Sequence, residues 1–212
     1  MKILNLYAGI GGNRKLWGDE HDITTVELDL DIANIYIDLY PNDRVCITDA
    51  HNYLINHYNE FDFIWSSPPC PSHSRARYWG SFGENRTKIY PDMKLYQEII
   101  FLQHYAKKIK FTVENVKPYY KPLIEAQECA RHLFWSNFKI PNKPFKTKFK
   151  PNQSFGSLQK TYGLDLSKYN LPFGKDNRVI IRNMVDPELG QYILDCAMNV
   201  RRQENVKQTK LF

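Results

Sequence analysis

Apolar residues along residues 1–138 fall in short runs that alternate with longer stretches at helical spacing. Lys2–Tyr7, Ile23–Val26, Val45–Thr48, Phe61–Trp65, Lys110–Val113 and Leu133–Phe138 are bounded by polar or turn residues and read as buried strands. Between them Asn13–Trp17 begins a helix, Leu30–Leu39 is helical, and Pro91-Asp92 opens a helix to about Ile109 that puts Leu95, Ile99, Leu102 and Ala106 on one face. Tyr120–Ala130 reads as a further helix. Beyond these, proline, asparagine, lysine and glycine dominate an irregular stretch, Arg178–Ile181 returns to strand character, and Asp186–Val200 forms a helix with Leu189, Tyr192, Ile193 and Ala197 on its apolar face. Strands alternating with helices predict an α/β fold: a doubly wound, mostly parallel sheet with a small irregular insert. The expected division is a core of residues 1–138 plus 178–200, an insert at 139–177, and a charged tail at 201–212 that is expected to be mobile.

Such a sheet delivers its strand ends to one crevice, where ligands bind. The first predicted strand runs into Ala8-Gly9-Ile10-Gly11-Gly12, whose glycines admit close approach of a ligand to the backbone. The second ends in Glu27 and the third in Asp49. Single acids at such places commonly cap the next helix, but the series of ends points to one site. The fourth strand enters Trp65–Ser74, read as WSSPPCPSHS. Pro68 and Pro69 cannot extend a strand ladder, so Cys70 is presented at the crevice rather than packed, which suits a nucleophile. The fifth strand brings Glu114-Asn115-Val116 to the same edge, and the polar, aromatic and basic stretch Ser74–Tyr90 reads as a loop able to close over a substrate.

Composition narrows the setting. The chain has 212 residues, 42% hydrophobic and 25% charged, as expected for one globular catalytic unit, and no apolar run is long enough to span a bilayer. Met1 leads directly into the first strand without a secretory leader, so an intracellular, cytoplasmic location is expected. Cys46, Cys70, Cys129 and Cys196 form no CxxC pair, which predicts reduced thiols and no metal site. The net charge of +6 favours a polyanionic partner, with Arg75, Arg77, Arg86 and Lys88 clustered after the cysteine turn and Lys143, Lys146 and Lys148 in the insert.

These residues together resemble a DNA cytosine-5 methyltransferase. Leu6–Gly12 resembles that family's cofactor-binding first motif, Pro68-Pro69-Cys70 with Ser74 its nucleophile motif PPCxxxS, Glu114-Asn115-Val116 its ENV motif, and Asn183–Pro187 its last motif, GNxVxP. The resemblance spans residues 1 to about 138 and resumes at Asn183. It implies a Rossmann-like fold that binds S-adenosylmethionine over Gly9, Gly11 and Gly12, with Tyr7 against the cofactor and Glu27 on its ribose. Leu28, Asp49, Ala50, Pro69 and Asn183 complete that implied pocket. It further implies that Cys70 attacks C6 of a flipped-out cytosine, that Glu114 bonds N3 and the exocyclic amine, and that Arg131 contacts the base carbonyl, with Asn115 and Ser74 in the same catalytic set. Double-stranded DNA is the implied partner, held by the basic residues above, in a bacterial or phage-infected cell. Whether the role is restriction-modification, phage self-protection or orphan regulation stays open.

The chain also departs from the pattern. Arg182 stands where the last motif usually has glycine, Cys129 stands where the first arginine of QxRxR would be, and the insert is short for a target-recognition region. An RNA cytosine methyltransferase of the same fold and a non-catalytic DNA-binding relative therefore remain alternatives. Gln208–Phe212 resembles the QxxLF peptide that docks bacterial proteins on the sliding clamp.

Overall fold

In the computed structural model, described over residues 1–78, 87–145, 153–169, 171 and 177–200, the strands form a seven-stranded sheet. They are β1 (Lys2–Leu6), β2 (Asp22–Glu27), β3 (Arg44–Ile47), β4 (Phe63–Ser66), β5 (Lys110–Val116), β6 (Gln127–Cys129) and β7 (His132–Ser136), in the spatial order β3-β2-β1-β4-β5-β7-β6. The first five pair in parallel. β7 runs antiparallel to β5, and β6 antiparallel to β7. The chain winds outward from β1 to β3 and then restarts at β4 on the other side of β1. The crevice of this open sheet therefore lies where β1 and β4 end, at the glycine turn and the cysteine turn.

The central strands β1 and β4 are buried on both faces, which is why they read as nearly continuous apolar runs rather than alternating ones. Leu4, Leu6, Ile64 and Val113 face one core, filled by α2 (Ala50–His57) and α3 (Lys94–Tyr105) through Leu54, Leu95, Ile99 and Leu102. Ile3, Ile23, Phe63, Trp65 and Phe134 face the other, closed by Trp17 and by Leu189, Ile193 and Leu194 of α6 (Pro187–Met198). A third cluster joins α1 (Leu30–Leu39), α4 (Phe155–Tyr162) and α5 (Arg178–Arg182) through Ile32, Ile35, Leu158, Ile180 and Ile181. Local caps set these helices: Asp29, Asp49, Ser154 and Asp186 each accept backbone N–H bonds at a helix start.

Three expectations from the sequence are corrected. Tyr120–Ala130 is not a helix: the Ile124 carbonyl accepts the indole N–H of Trp135 at 2.9 Å, and the chain then enters β6. Arg178–Ile181 is not a strand but α5, because its β-branched run is buried against α1 and α4 rather than beside a strand. The helix opened by Pro91-Asp92 starts at Lys94 and ends at Tyr105. The stretch read as irregular also contains α4, and β6 was not foreseen.

Backbone contact between α6 and the 3-10 turn Asn13–Leu16 locks the second core under the glycine turn. A Cβ on Gly190 would lie 2.6 Å from Asn13 Cα, and the Gly190 carbonyl accepts the Trp17 indole N–H at 3.1 Å. We predict that Gly190→Ala, although it favours an isolated helix, destabilises the protein by ~1–3 kcal/mol through overpacking. Thermal melting should fall by ~2–4 °C per kcal/mol, and an unchanged or higher midpoint would contradict this packing.

Candidate active site

Beyond β1 the chain turns at Tyr7, whose φ of 56° is left-handed, and at Gly9 and Gly11, with φ of 55° and 74°. Several neighbours fix the turn. Gly9 N–H donates to Glu27 Oε2 at 2.9 Å, and Leu28 and Asp29 N–H donate to Glu27 Oε1 at 2.9 and 3.1 Å. Tyr40 OH donates to the Gly11 carbonyl at 2.9 Å, and a Cβ at Gly11 would sit 2.8 Å from the Tyr36 ring. Buried Arg14 backs these tyrosines: it donates to both Asp43 oxygens, at 2.8 and 3.0 Å, with its guanidinium over the Tyr40 ring. A Cβ at Gly12 would lie 2.5 Å from the Val185 carbonyl, so Asn183–Pro187 packs directly against the turn. Gly9, by contrast, has nothing within 4 Å of its Cβ position. That side is open.

The Tyr7 side chain leads to a residue that the motif reading missed. Glu98 of α3, 1% exposed, accepts from Tyr7 OH at 2.5 Å, from His51 Nδ1 at 3.1 Å and from Ser66 Oγ at 2.6 Å. Burial and the Glu98 charge push the Tyr7 phenol well above its ordinary range, while the bond to Glu98 raises His51. This carboxylate thereby ties the ends of β1 and β4 to α2. An acid three residues after Leu95 and four before Leu102, on the buried face of the helix, was the available signal. Asp49 at the end of β3 accepts Asn52 N–H at 2.8 Å, which holds its carboxyl below the ordinary range, and lies 3.6 Å from Lys94 Nζ. Ala50 is buried behind it, and Leu28, beyond Glu27, is 67% exposed.

On the other side of the crevice, Asn115 Nδ2 donates to the Pro68 carbonyl at 2.9 Å and so couples the ends of β5 and β4. Pro69 follows, exposed, and the Cys70 carbonyl accepts both His73 N–H and Ser74 N–H at 3.0 Å. The turn then docks on the segment after β5: Ser74 bridges Pro118, Arg75 Nε donates to the Pro118 carbonyl at 3.0 Å, and His73 Nδ1 bonds the Tyr120 hydroxyl at 2.5 Å. Cys70 is half-buried, and burial raises its thiol; the Glu114 charge raises it further, whereas Arg131 pulls it down. Cys70, Glu114 and Arg131 thus share one electrostatic neighbourhood. Glu114 is buried and hydrogen-bonded to His132 Nδ1, and Arg131 Nε donates to His132 Nε2 at 3.3 Å. His132 was not singled out from the sequence.

The other candidate residues are more dispersed. Arg77 donates to the Thr87 carbonyl at 2.7 Å and to the Pro71 carbonyl at 3.4 Å, joining the two arms of the long loop, and Lys88 is exposed. Lys143 lies over the Tyr192 ring, with Nζ 5.6 Å from its centroid. Asn183 caps the end of α5, next to half-buried Arg182. Cys129 is fully buried in the second core. Arg86, Lys146, Lys148 and the clamp-like tail Gln208–Phe212 lie outside the described residues. Among the described residues no group of three or more metal-ligating side chains is present, and no helix is long and apolar enough to cross a membrane.

Comparison with known proteins places this geometry. Residues 1–125 match the family model for C-5 cytosine-specific DNA methylase. Among solved structures, Entamoeba histolytica methyltransferase EhMeth matches with a TM-score of 0.55 at 8% identity, covering 96% of this chain and 99% of that one. It shares the fold. A Spodoptera frugiperda DNMT2 variant matches at 25% identity and TM-score 0.38, covering 55% of this chain and 35% of its own. The chain thus spans about a third of that protein. A SAM-dependent methyltransferase from Agrobacterium tumefaciens matches at 14% identity and TM-score 0.39, covering 57% of this chain and 40% of that chain. No curated protein matches the sequence.

The charges around Cys70 make its reactivity a direct readout of the site. The thiolate fraction sets the rate of alkylation, so peptide-resolved labelling of Cys70 by iodoacetamide should rise with pH to a midpoint above that of an ordinary thiol. Glu114→Gln removes a raising charge and should move the midpoint to lower pH; Arg131→Gln removes a lowering charge and should move it to higher pH. Midpoints unmoved by both substitutions would separate the three side chains.

Proposed function

The chain belongs to the C-5 cytosine-specific DNA methylase family, and on that premise we propose that it methylates C5 of a flipped-out cytosine in double-stranded DNA through a covalent Cys70 adduct. Its cofactor is S-adenosylmethionine, the methyl donor of that family. The observation that carries the reading is the convergence of Cys70, Glu114 and Arg131 at the ends of β4 and β5 and the turn before β7, beside an open glycine turn.

The residues fit the cofactor. Gly9 leaves room for a ligand against the backbone, and exposed Leu28 offers an apolar surface for a flat ring. The Glu27 carboxylate accepts N–H bonds from Gly9, Leu28 and Asp29, which leaves it further acceptor capacity for a ribose hydroxyl, since a carboxylate has about four lone-pair sites. Tyr7, Asp49, Pro69 and Asn183 would line the rest of the pocket, with Ala50 packed behind Asp49. The bound cofactor supplies an electrophilic methyl group on a sulfonium.

The protein's own groups do the rest. A Cys70 thiolate bonds C6 of cytosine, and the electrons of the C5–C6 double bond make C5 nucleophilic enough to take the methyl. In its protonated form the Glu114 carboxyl would donate a hydrogen bond to N3 and accept one from the exocyclic amine, so the charge that develops in the ring is quenched as it forms. Arg131 bonds the base carbonyl. Loss of the C5 proton then expels the Cys70 thiolate and restores the aromatic ring. C5 and C6 are out of reach in a stacked duplex, so the base leaves the helix and the loop from Ser74 to Tyr90 closes behind it. The bonds of Arg77 to both arms of that loop support this use of it.

Residues 139–177 act as a small target-recognition insert in this reading. Leu158, Leu164 and Leu166 pack against α1 and α5, and an insert this short implies few base contacts. At ~1–3 kcal/mol of discrimination per good base contact, the recognised sequence should be short. Lys143, Lys146, Lys148 and the basic residues Arg75 to Lys88 bind phosphate.

Duplex DNA carrying 5-fluorocytosine tests the mechanism, because fluorine cannot leave C5 and the adduct persists. With S-adenosylmethionine, the protein should form a band that survives denaturing electrophoresis and disappears in Cys70→Ala. A preparation that binds the duplex but forms no such band would overturn the enzymatic reading, and adduct formation on transfer RNA in place of DNA would reassign the substrate.

A further inference from the structure

We propose that His132 is a positioning residue that holds the Glu114 carboxyl in one orientation, with Arg131 fixing which nitrogen of the imidazole carries the proton. The proposal rests on the reading of Glu114 as the group that bonds N3 of the base.

The placement follows from the sheet. In the β5–β7 ladder Glu114 is opposite Phe134, and His132 is opposite Val116, so Glu114 and His132 are diagonal neighbours on one face, within reach of each other. Both are buried, at 5% and 8% exposure, and a buried carboxyl and a buried imidazole each need a partner. They find one another through Glu114 Oε1 and His132 Nδ1. Across β6, Cys129 faces His132 in the register and is itself packed into the core, so the hairpin reaches Glu114 from this face through the imidazole.

The direction of the chain of bonds is decided by Arg131. A guanidinium has only donors, so the contact of Arg131 Nε with His132 Nε2 makes Nε2 an acceptor. A neutral ring then carries its proton on Nδ1, and Nδ1 donates to Glu114 Oε1. One carboxyl oxygen is thereby committed to accepting. The proton that Glu114 presents to a base must sit on Oε2, and the carboxyl cannot rotate to exchange its two oxygens without breaking the bond to His132. Arg131 acts on the same unit from the rim, since it also lowers the Cys70 thiol. A buried pair that served only to satisfy two polar groups would need no such polarity.

The test separates positioning from stability. Asn at 132 keeps an N–H donor where Nδ1 stands; Leu keeps the bulk without the donor. Single-turnover adduct formation on 5-fluorocytosine duplex should fall by ~10-fold or more in His132→Leu, on the scale of acid–base contributions, with KM for DNA changed by less than about 2-fold. His132→Asn should recover most of the rate. In a Glu114→Gln background His132→Leu should add little, because residues acting as one unit are not additive. If the wild type forms no adduct, the reading of Glu114 falls and this proposal with it. If the wild type forms the adduct and His132→Leu matches it, or if Leu and Asn lose rate equally in proportion to lost thermal stability, the positioning role alone is overturned.

Discussion

The bond from Asn115 Nδ2 to the Pro68 carbonyl is the constraint on which the catalytic side of the molecule depends. Pro69 has no N–H and cannot continue the ladder, and past Ser66 the backbone is held back to β1 by Ser67 N–H to the Leu6 carbonyl at 3.3 Å. The Asn115 side chain replaces the missing strand contact and sets the Cys70 turn at a fixed distance from the strand that carries Glu114. His73, Ser74 and Arg75 then clamp the far side of the turn to Pro118 and Tyr120. The Cys70 turn is thus held between two segments of one strand-and-loop unit, β5 and its continuation.

The cofactor side has its own anchor in Glu98. A carboxylate buried without partners would be costly, but here it accepts from Tyr7 after β1, His51 of α2 and Ser66 of β4. Tyr7 is held with a positive φ that a non-glycine residue adopts at some cost, and its bond to Glu98 compensates for that. Glu27 does the same for Gly9 from the neighbouring strand. Both halves of the site rest on a polar side chain that takes over backbone or turn contacts where the parallel ladder stops.

Much of this was legible in the chain because a parallel sheet puts function at strand ends, and strand ends are marked by glycine, proline and single acids. The strands β1 to β5, the glycine turn, Glu27, Asp49 and the cysteine turn can all be read that way. The errors came where pattern is ambiguous. Tyr120–Ala130 was read as a helix, but its Ile124 carbonyl is taken by Trp135 of β7, eleven residues further on; Arg178–Ile181 is β-branched, yet packs as a single helical turn between two others. Glu98 and His132 were missed for a different reason. Each sits at an apolar-facing position, and its partner is fixed by topology: α3 against two strand ends in one case, the β5–β7 register in the other.

The charges around Cys70 also bear on when the nucleophile is made. In the free protein burial and the Glu114 charge hold the thiol up, opposed by a backbone hydrogen bond and by Arg131. On the proposed reaction a cytosine that enters the site pairs with a protonated Glu114, which removes the negative charge while leaving Arg131 in place. Loss of that charge takes away one of the two influences that raise the thiol, so entry of the base and formation of the thiolate favour each other. A thiol whose ionisation is disfavoured in the free protein is less open to oxidation and to stray electrophiles. On the proposed geometry His132 fits this arrangement, because a carboxyl held through Oε1 keeps Oε2 for the base.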